Sequence, residues 1–296
     1  MTSSTNSFVA DIPCDLLLVS GKDSQRFLQG QLSCDMNRLS GNTRLRGALC
    51  NLKGRVISDV QLWQHEDNII MQCPQGMAEK IRSSLSKYQV FFKTDIETMD
   101  ARFQCIGVSL SDPGHSSAAE FQNWPGDIDQ VINLPGLKVA RINNSTSTPA
   151  RFELLLDSGH DKVSQWLSTL AGNLRQGQAV DWRLFDIQDG IAHVRPGQEE
   201  CFTPQLLGYD LNGTIDFKKG CYTGQEVVAR MYYRAEAKKR PGYLLLEQGE
   251  SLDNFGIEAD NDIIDMVETP DGKRHYLLVA NTRDEQRHSR IELIAG

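Results

Sequence analysis

No run of apolar residues in this chain approaches the length of about 20 that a bilayer-spanning helix requires, although hydrophobic residues make up 40% of the 296. A helical membrane span is excluded. The opening stretch, MTSSTNSFVADIPCD, has neither the basic flank and apolar core of a secretory signal nor the arginine content of a mitochondrial presequence, so a cytoplasmic protein is expected. Paired cysteines are missing as well. The seven cysteines (Cys14, Cys34, Cys50, Cys73, Cys105, Cys201 and Cys221) are odd in number, scattered, and without a C-x-x-C spacing. That argues against a disulfide framework, a zinc ribbon and the clustered ligands of an iron–sulfur centre, leaving reduced thiols and no stable metal cluster as the expectation. Positive charge is in deficit too. At a net charge of −8 the chain repels a polyanion on average, and sequence-independent nucleic-acid binding needs clustered lysines and arginines to displace phosphate counterions.

The length reaches the roughly 250–300 residues at which a single hydrophobic core stops growing, so more than one packed unit is expected. The class is α+β. DLLLVSG reads as a strand ended by Gly21, followed by a helix in KDSQRFLQGQL with Asp23 available as cap. RVISDVQLW alternates Val56, Ser58, Val60 and Leu62 against Ile57, Asp59, Gln61 and Trp63, which predicts a strand with two distinct faces. An internal echo follows: NIIMQCPQGMAEKIRSSL and FELLLDSGHDKVSQWLSTL both give an apolar strand, a glycine-containing turn and an amphipathic helix, suggesting two similar halves. SDPGHSSAAEFQNWPGD between them is loop in composition. QAVDWRLFDIQDGIAHV has helical spacing, and GQEVVARMYYRAEA predicts a further helix. Arg240-Pro241-Gly242 is expected to break the chain, dividing residues 1–240 from a unit of 241–296 whose short strand candidates predict a small β-barrel.

The charge deficit is reversed locally. From Lys218 to Arg240 the chain carries seven basic residues against two acidic ones, open to reading as a solvated helix face or as a patch that receives a small anion. Within it lies KGCYTGQE, where Cys221 stands between Gly220 and Gly224 behind Lys218 and Lys219. A thiol near a helix start and beside lysines is expected to have a lowered pKa, and both glycines are free to adopt positive φ. Cys34, Cys50, Cys73 and Cys105 read instead as small buried hydrophobes. His193 is the histidine nearest to Cys221 in sequence. A lone histidine after a helix reads as a packing or capping residue, so a cysteine hydrolase has little support.

The segment FKKGCYTGQEVVARMYYR resembles the signature of the YgfZ family of folate-binding proteins, with supporting matches in SGKDSQRFLQGQLSCD, NLKGRVISDVQLW and DWRLFDIQDG, over roughly Leu16 to Arg240. The resemblance implies a fold similar to the glycine-cleavage T-protein: intertwined α+β halves around a central folate pocket, followed by a C-terminal β-barrel. It implies tetrahydrofolate or a derivative as ligand, with Trp182 and Asp59 in the pocket. Gly220, Tyr222, Gly224, Gln225, Glu226 and Arg230 are carried over as further folate-site residues, and Cys221 with Lys219 as the functional thiol and its neighbour. The T-protein transferases carry paired aspartates where Ser58 and Asp59 stand here, so one carboxylate is missing. The function this resemblance implies is an accessory protein that supports iron–sulfur enzymes, such as tRNA-thiolating enzymes, and thereby tRNA modification. Two other functions stay open: a tetrahydrofolate-dependent one-carbon transferase, and a tRNA-binding module, which the net charge disfavours.

Overall fold

The structure, a computed structural model, describes residues 7–99, 101–113, 124–234, 237–255, 257, 262–282 and 290–294. The first third of the chain supplies β1 (Phe8–Asp11), β2 (Cys14–Ser20), α1 (Ser24–Gln29), β3 (Leu45–Cys50), β4 (Val56–His65), β5 (Asn68–Pro74), α2 (Ala78–Gln89) and β6 (Asp95–Thr98). The middle supplies β7 (Phe103–Leu110), β8 (Val131–Leu134), β9 (Leu137–Arg141), β10 (Ala150–Asp157), α3 (Val163–Asn173), β11 (Arg175–Gln176) and α4 (Ala179–Asp189). The remainder contributes α5 (Gln225–Arg234), β12 (Lys239–Leu246), β13 (Ile263–Glu268), β14 (Arg274–Asn281) and β15 (Glu292–Leu293). Residues 114–123 of the expected loop lie outside the described residues.

Strands in the order β3-β4-β5-β2-β6 form one sheet, and β11-β1-β7-β10-β9-β8 form a second. β1 and β2 are neighbours in sequence yet belong to different sheets, as do β6 and β7, so the chain threads the two halves through each other. The strand-turn-helix echo has a packing reason. β5 leads into α2, which buries Ile81 and Leu85 on the first sheet, and β10 leads into α3, which buries Val163 and Leu170 on the second. The alternation in β4 is interrupted. Leu49 pairs with Ser58 but Cys50 with Val56, so Ile57 is an extra residue on its strand and joins Val60 and Leu62 in the same core cluster. After this bulge Asp59, Gln61 and Trp63 share the opposite face, and Gln61 opens on the cavity between the halves.

The C-terminal sheet has the order β13-β14-β12-β15 and, among the described residues, does not close, where a barrel was expected. Arg240-Pro241-Gly242 does not break the chain but lies inside β12, and the Pro241 carbonyl accepts the Ile294 N–H at 3.0 Å. One side of this sheet packs on α4, where Ile187 meets Ile264, Val267, Leu277 and Val279 in a shared core. No described helix is long and apolar enough to cross a membrane.

Candidate functional site

Where the two halves meet, a cavity of about 290 Å³ is enclosed by the β1–β2 junction, by Gln61 of β4 and Gln72 of β5, by Glu153 of β10, and by α4 with the segment that follows it. Trp182, Arg183 and Asp186 line it from α4, and His193 and Arg195 from beyond the helix. The spacing of these residues depends on where α4 begins and stops. Asp181 accepts the Gln178 N–H at 2.9 Å and secures the first turn. Gly190, at φ 70°, ends the helix in the left-handed conformation while the Ile191 N–H reaches back to Asp186 at 2.8 Å. The helical spacing of the sequence runs on to Val194, but the chain leaves the helix at Gly190 and returns past β4. That return delivers His193 to Asp59.

Asp59 is buried, at 4% exposure, and accepts from His193 Nδ1 at 2.7 Å and from the Val194 N–H at 2.8 Å. His193 Nε2 faces Asp186 Oδ2 at 3.9 Å, and Asp186 accepts from Arg151 Nη1 at 2.7 Å. Arg151 is fully buried; its Nη2 donates to Asp189 at 2.7 Å and its guanidinium lies 4.9 Å from the Trp182 ring. Burial works against the charged imidazole, but Asp59, by charge and hydrogen bond, and Asp186 outweigh it and hold the His193 pKa raised to about 9. The ring is therefore cationic at neutral pH. Burial raises the Asp186 pKa, against the pull of Arg151 and His193. At the rim, Arg183 and Arg195 both hold Asp265 of β13, Arg183 Nε at 2.7 Å and Arg195 Nη2 at 2.8 Å. These two pairs keep the Asp265 pKa low in spite of its burial. Among the described residues, the buried Arg195 Nε has no hydrogen-bond partner.

The KGCYTGQE segment stands elsewhere. Its recess is lined by Cys221, Tyr222, Gly224 and Glu226, together with Leu52 and Tyr233, and shares no residue with the central cavity. Cys221 is exposed and lies four positions before α5 begins, not in its first turn. Lys219 turns inward: Nζ donates to the carbonyls of Gln29 at 2.7 Å, Leu32 at 2.6 Å and Cys34 at 2.8 Å, which occupies all three of its N–H groups. Burial pulls its pKa down. Gly224, at φ 83°, brings the motif against the β3–β4 turn so closely that a Cβ would lie 2.3 Å from the Asn51 carbonyl oxygen. Gly220 has neither a positive φ nor a neighbour within 4 Å of where a Cβ would stand.

No model of a known protein family matches the chain. It is 30% identical over 236 residues to the tRNA-modifying protein YgfZ of Cronobacter sakazakii, a match that covers 77% of this chain and 68% of the relative. The chain belongs to the YgfZ family. The tRNA-modifying protein YgfZ of Escherichia coli is 28% identical over 245 residues, covering 83% of this chain and 73% of the relative. The fold is similar to that of the glycine cleavage system aminomethyltransferase T from Bartonella henselae, with a TM-score of 0.68 over 94% of this chain and 79% of that one, at 14% identity. The architecture is thus mixed α and β of the T-protein kind.

Within this YgfZ-family chain the residues singled out from sequence fall into two groups. Trp182 lines the central cavity, and Asp59 lies buried behind it in contact with the cavity's His193. Asp59 is no solvent-facing strand residue. Gly220, Tyr222, Gly224, Gln225, Glu226 and Arg230 belong to the separate motif with Cys221 and do not line the cavity. The local basic patch is largely spent: Lys219 is buried, and Arg230, Lys239 and Arg240 pair with Glu226, Asp262 and Asp210. Asp23 also departs from expectation, accepting the Lys93 N–H at 2.8 Å instead of capping α1. The sequence reading missed Asp186, Arg151, Arg183, Arg195, Gln61, Gln72 and Glu153, and it took His193 for a packing residue. The available signal was DWRLFDIQDGIAHVRPG, where Trp182, Asp186 and Asp189 recur at helical spacing and a histidine and an arginine follow the glycine.

Proposed function

We propose that this protein is a folate-binding accessory factor that supports tRNA modification, with tetrahydrofolate held in the central cavity and the exposed Cys221 serving iron–sulfur client enzymes such as those that thiolate tRNA. The observation that carries the ligand half is the donor set. A flat heterocycle with mixed donors and acceptors suits walls made of Gln61, Gln72 and Glu153 with a cationic His193, and the glutamate carboxylates suit Arg183 and Arg195 at the rim. Trp182 lines the cavity, with its indole packed on Gly107 and the Arg151 guanidinium over the ring. Tetrahydrofolate, when bound, supplies one-carbon chemistry. The chain's own residues bind and orient more readily than they transfer protons. Asp59 is committed to two donors behind the wall, and an imidazole already protonated at neutral pH is a poor base. This favours the accessory role over an aminomethyl transferase.

Tryptophan fluorescence during a tetrahydrofolate titration tests the ligand. Saturable quenching is expected, reduced in Trp182→Phe and shifted to higher concentration in Arg195→Ala; no saturable quenching up to millimolar ligand would remove folate from the function. In cells lacking the protein, tRNA thiolation should fall. Restoration by a stable Cys221→Ser variant would remove the thiol.

A further inference from the structure

A second cleft, of about 370 Å³, lies between α2 and the β3–β4 turn and shares no lining residue with the central cavity. Lys80 and Lys87 reach it from α2, seven positions apart and so on one face of the helix, and Lys53 reaches it from the turn opposite. Among the described residues none of these three lysines forms an ion pair; Glu79, the acid of α2, is taken by Arg82 at 2.9 Å. Glu200 is the carboxylate in the lining, which leaves a local charge of about +2. Gln31 at the back is 7% exposed, and its Oε1 accepts from Thr223 Oγ1 at 3.2 Å. The Gln31 amide N–H groups have no acceptor among the described residues. Ser83 adds a hydroxyl at the wall. Leu52 and Thr223 line both this cleft and the recess that holds Cys221, so the two are neighbours.

We infer that this cleft binds a small phosphorylated ligand carrying at least two negative charges and holds it beside the Cys221 thiol. Compact ammonium groups converging from two sides suit tetrahedral phosphate oxygens, whereas flat carboxylates are better matched by the planar fork of arginine, which this lining lacks. The volume admits a diphosphate-sized group, and the overall charge of −8 disfavours a long polyanion. The site is independent of the folate cavity.

Calorimetry of the full-length protein with inorganic pyrophosphate, alongside the rate of Cys221 alkylation, tests this. Saturable binding is expected, weakened about tenfold or more in Lys80→Ala/Lys87→Ala and unchanged in Arg195→Ala, since about 1.4 kcal/mol of lost attraction is a factor of ten. Cys221 alkylation should change on saturation. No saturable pyrophosphate binding, or binding that the double lysine variant leaves intact, overturns the site. Unchanged Cys221 alkylation in the saturated protein overturns its placement beside the thiol. Lysine-dependent binding of an RNA oligomer with which pyrophosphate does not compete overturns the small-ligand assignment.

Discussion

His193 ties stability to pH because its folded pKa is raised to about 9, above the roughly 6.5 of an unfolded histidine. A raised pKa means that the folded state holds the proton more tightly, so the stabilisation is fully present below about 6.5 and is lost as pH rises through about 9. At about 1.4 kcal/mol per pH unit the loss is on the order of 3 kcal/mol as an upper bound. Urea denaturation at a series of pH values should show wild-type stability falling across this window by more than that of His193→Gln; parallel curves would mean that Asp59 does not hold the imidazolium. Thiols offer a second check at this scale. Burial pushes Cys34 and Cys50 up to about 12 and raises Cys73, whereas Cys201 and Cys221 are exposed. Alkylation with mass mapping should therefore modify Cys201 and Cys221 first and Cys34 and Cys50 last. Cys201 was not distinguished by its neighbours in sequence; only its exposure brings it forward.

The motif segment and the β3–β4 turn form one docked unit. Thr223 N–H bonds the Gly30 carbonyl at 3.2 Å, Lys219 binds three carbonyls at and beyond the end of α1, and Val227 of α5 packs over Gly54 in the turn. The two motif glycines consequently differ in what they tolerate. Gly224→Ala would force a side chain into positive φ and against the Asn51 carbonyl oxygen, and should cost about 2 kcal/mol or more. Gly220→Ala meets open space and should stay within about 0.5 kcal/mol of wild type. Thermal denaturation of the two variants decides: equal losses would mean that the docking against Asn51 is not what Gly224 provides. Lys219→Met belongs to the same unit, since it removes a buried ammonium and leaves three carbonyls short of a donor; a loss of stability is expected, larger than any change in Cys221 alkylation.

At the scale of the whole molecule the C-terminal sheet acts on the cavity without touching it. Asp265 grips both rim arginines from β13, while Ile187 on α4 is buried against β13 and β14. Asp265→Ala should therefore weaken tetrahydrofolate binding by about tenfold, with the cavity walls themselves unaltered; unchanged affinity would show that Arg183 and Arg195 need no anchoring. Much of this architecture was legible in the chain. Local patterning marked the strands, the α2 and α3 echo and the KGCYTGQE segment, because apolar periodicity and glycine placement act over a few residues. Patterning could not say that β1 and β2 part company, that a bulge at Ile57 resets the faces of β4, or that Pro241 would sit inside a strand. It could not say that the sheet after Pro241 would stay open among the described residues. The cavity is the sharper case. Asp59 and His193 are 134 positions apart and Lys219 and Gln29 are 190 apart, distances over which no sequence period operates. The sequence by itself determined the family, the class of fold and the presence of a glycine-flanked thiol. Only the tertiary structure decided that this thiol and the cavity are separate, that Lys219 is a clamp, and that His193 carries a charge, because burial and charge pairing are properties of residues brought together across the fold.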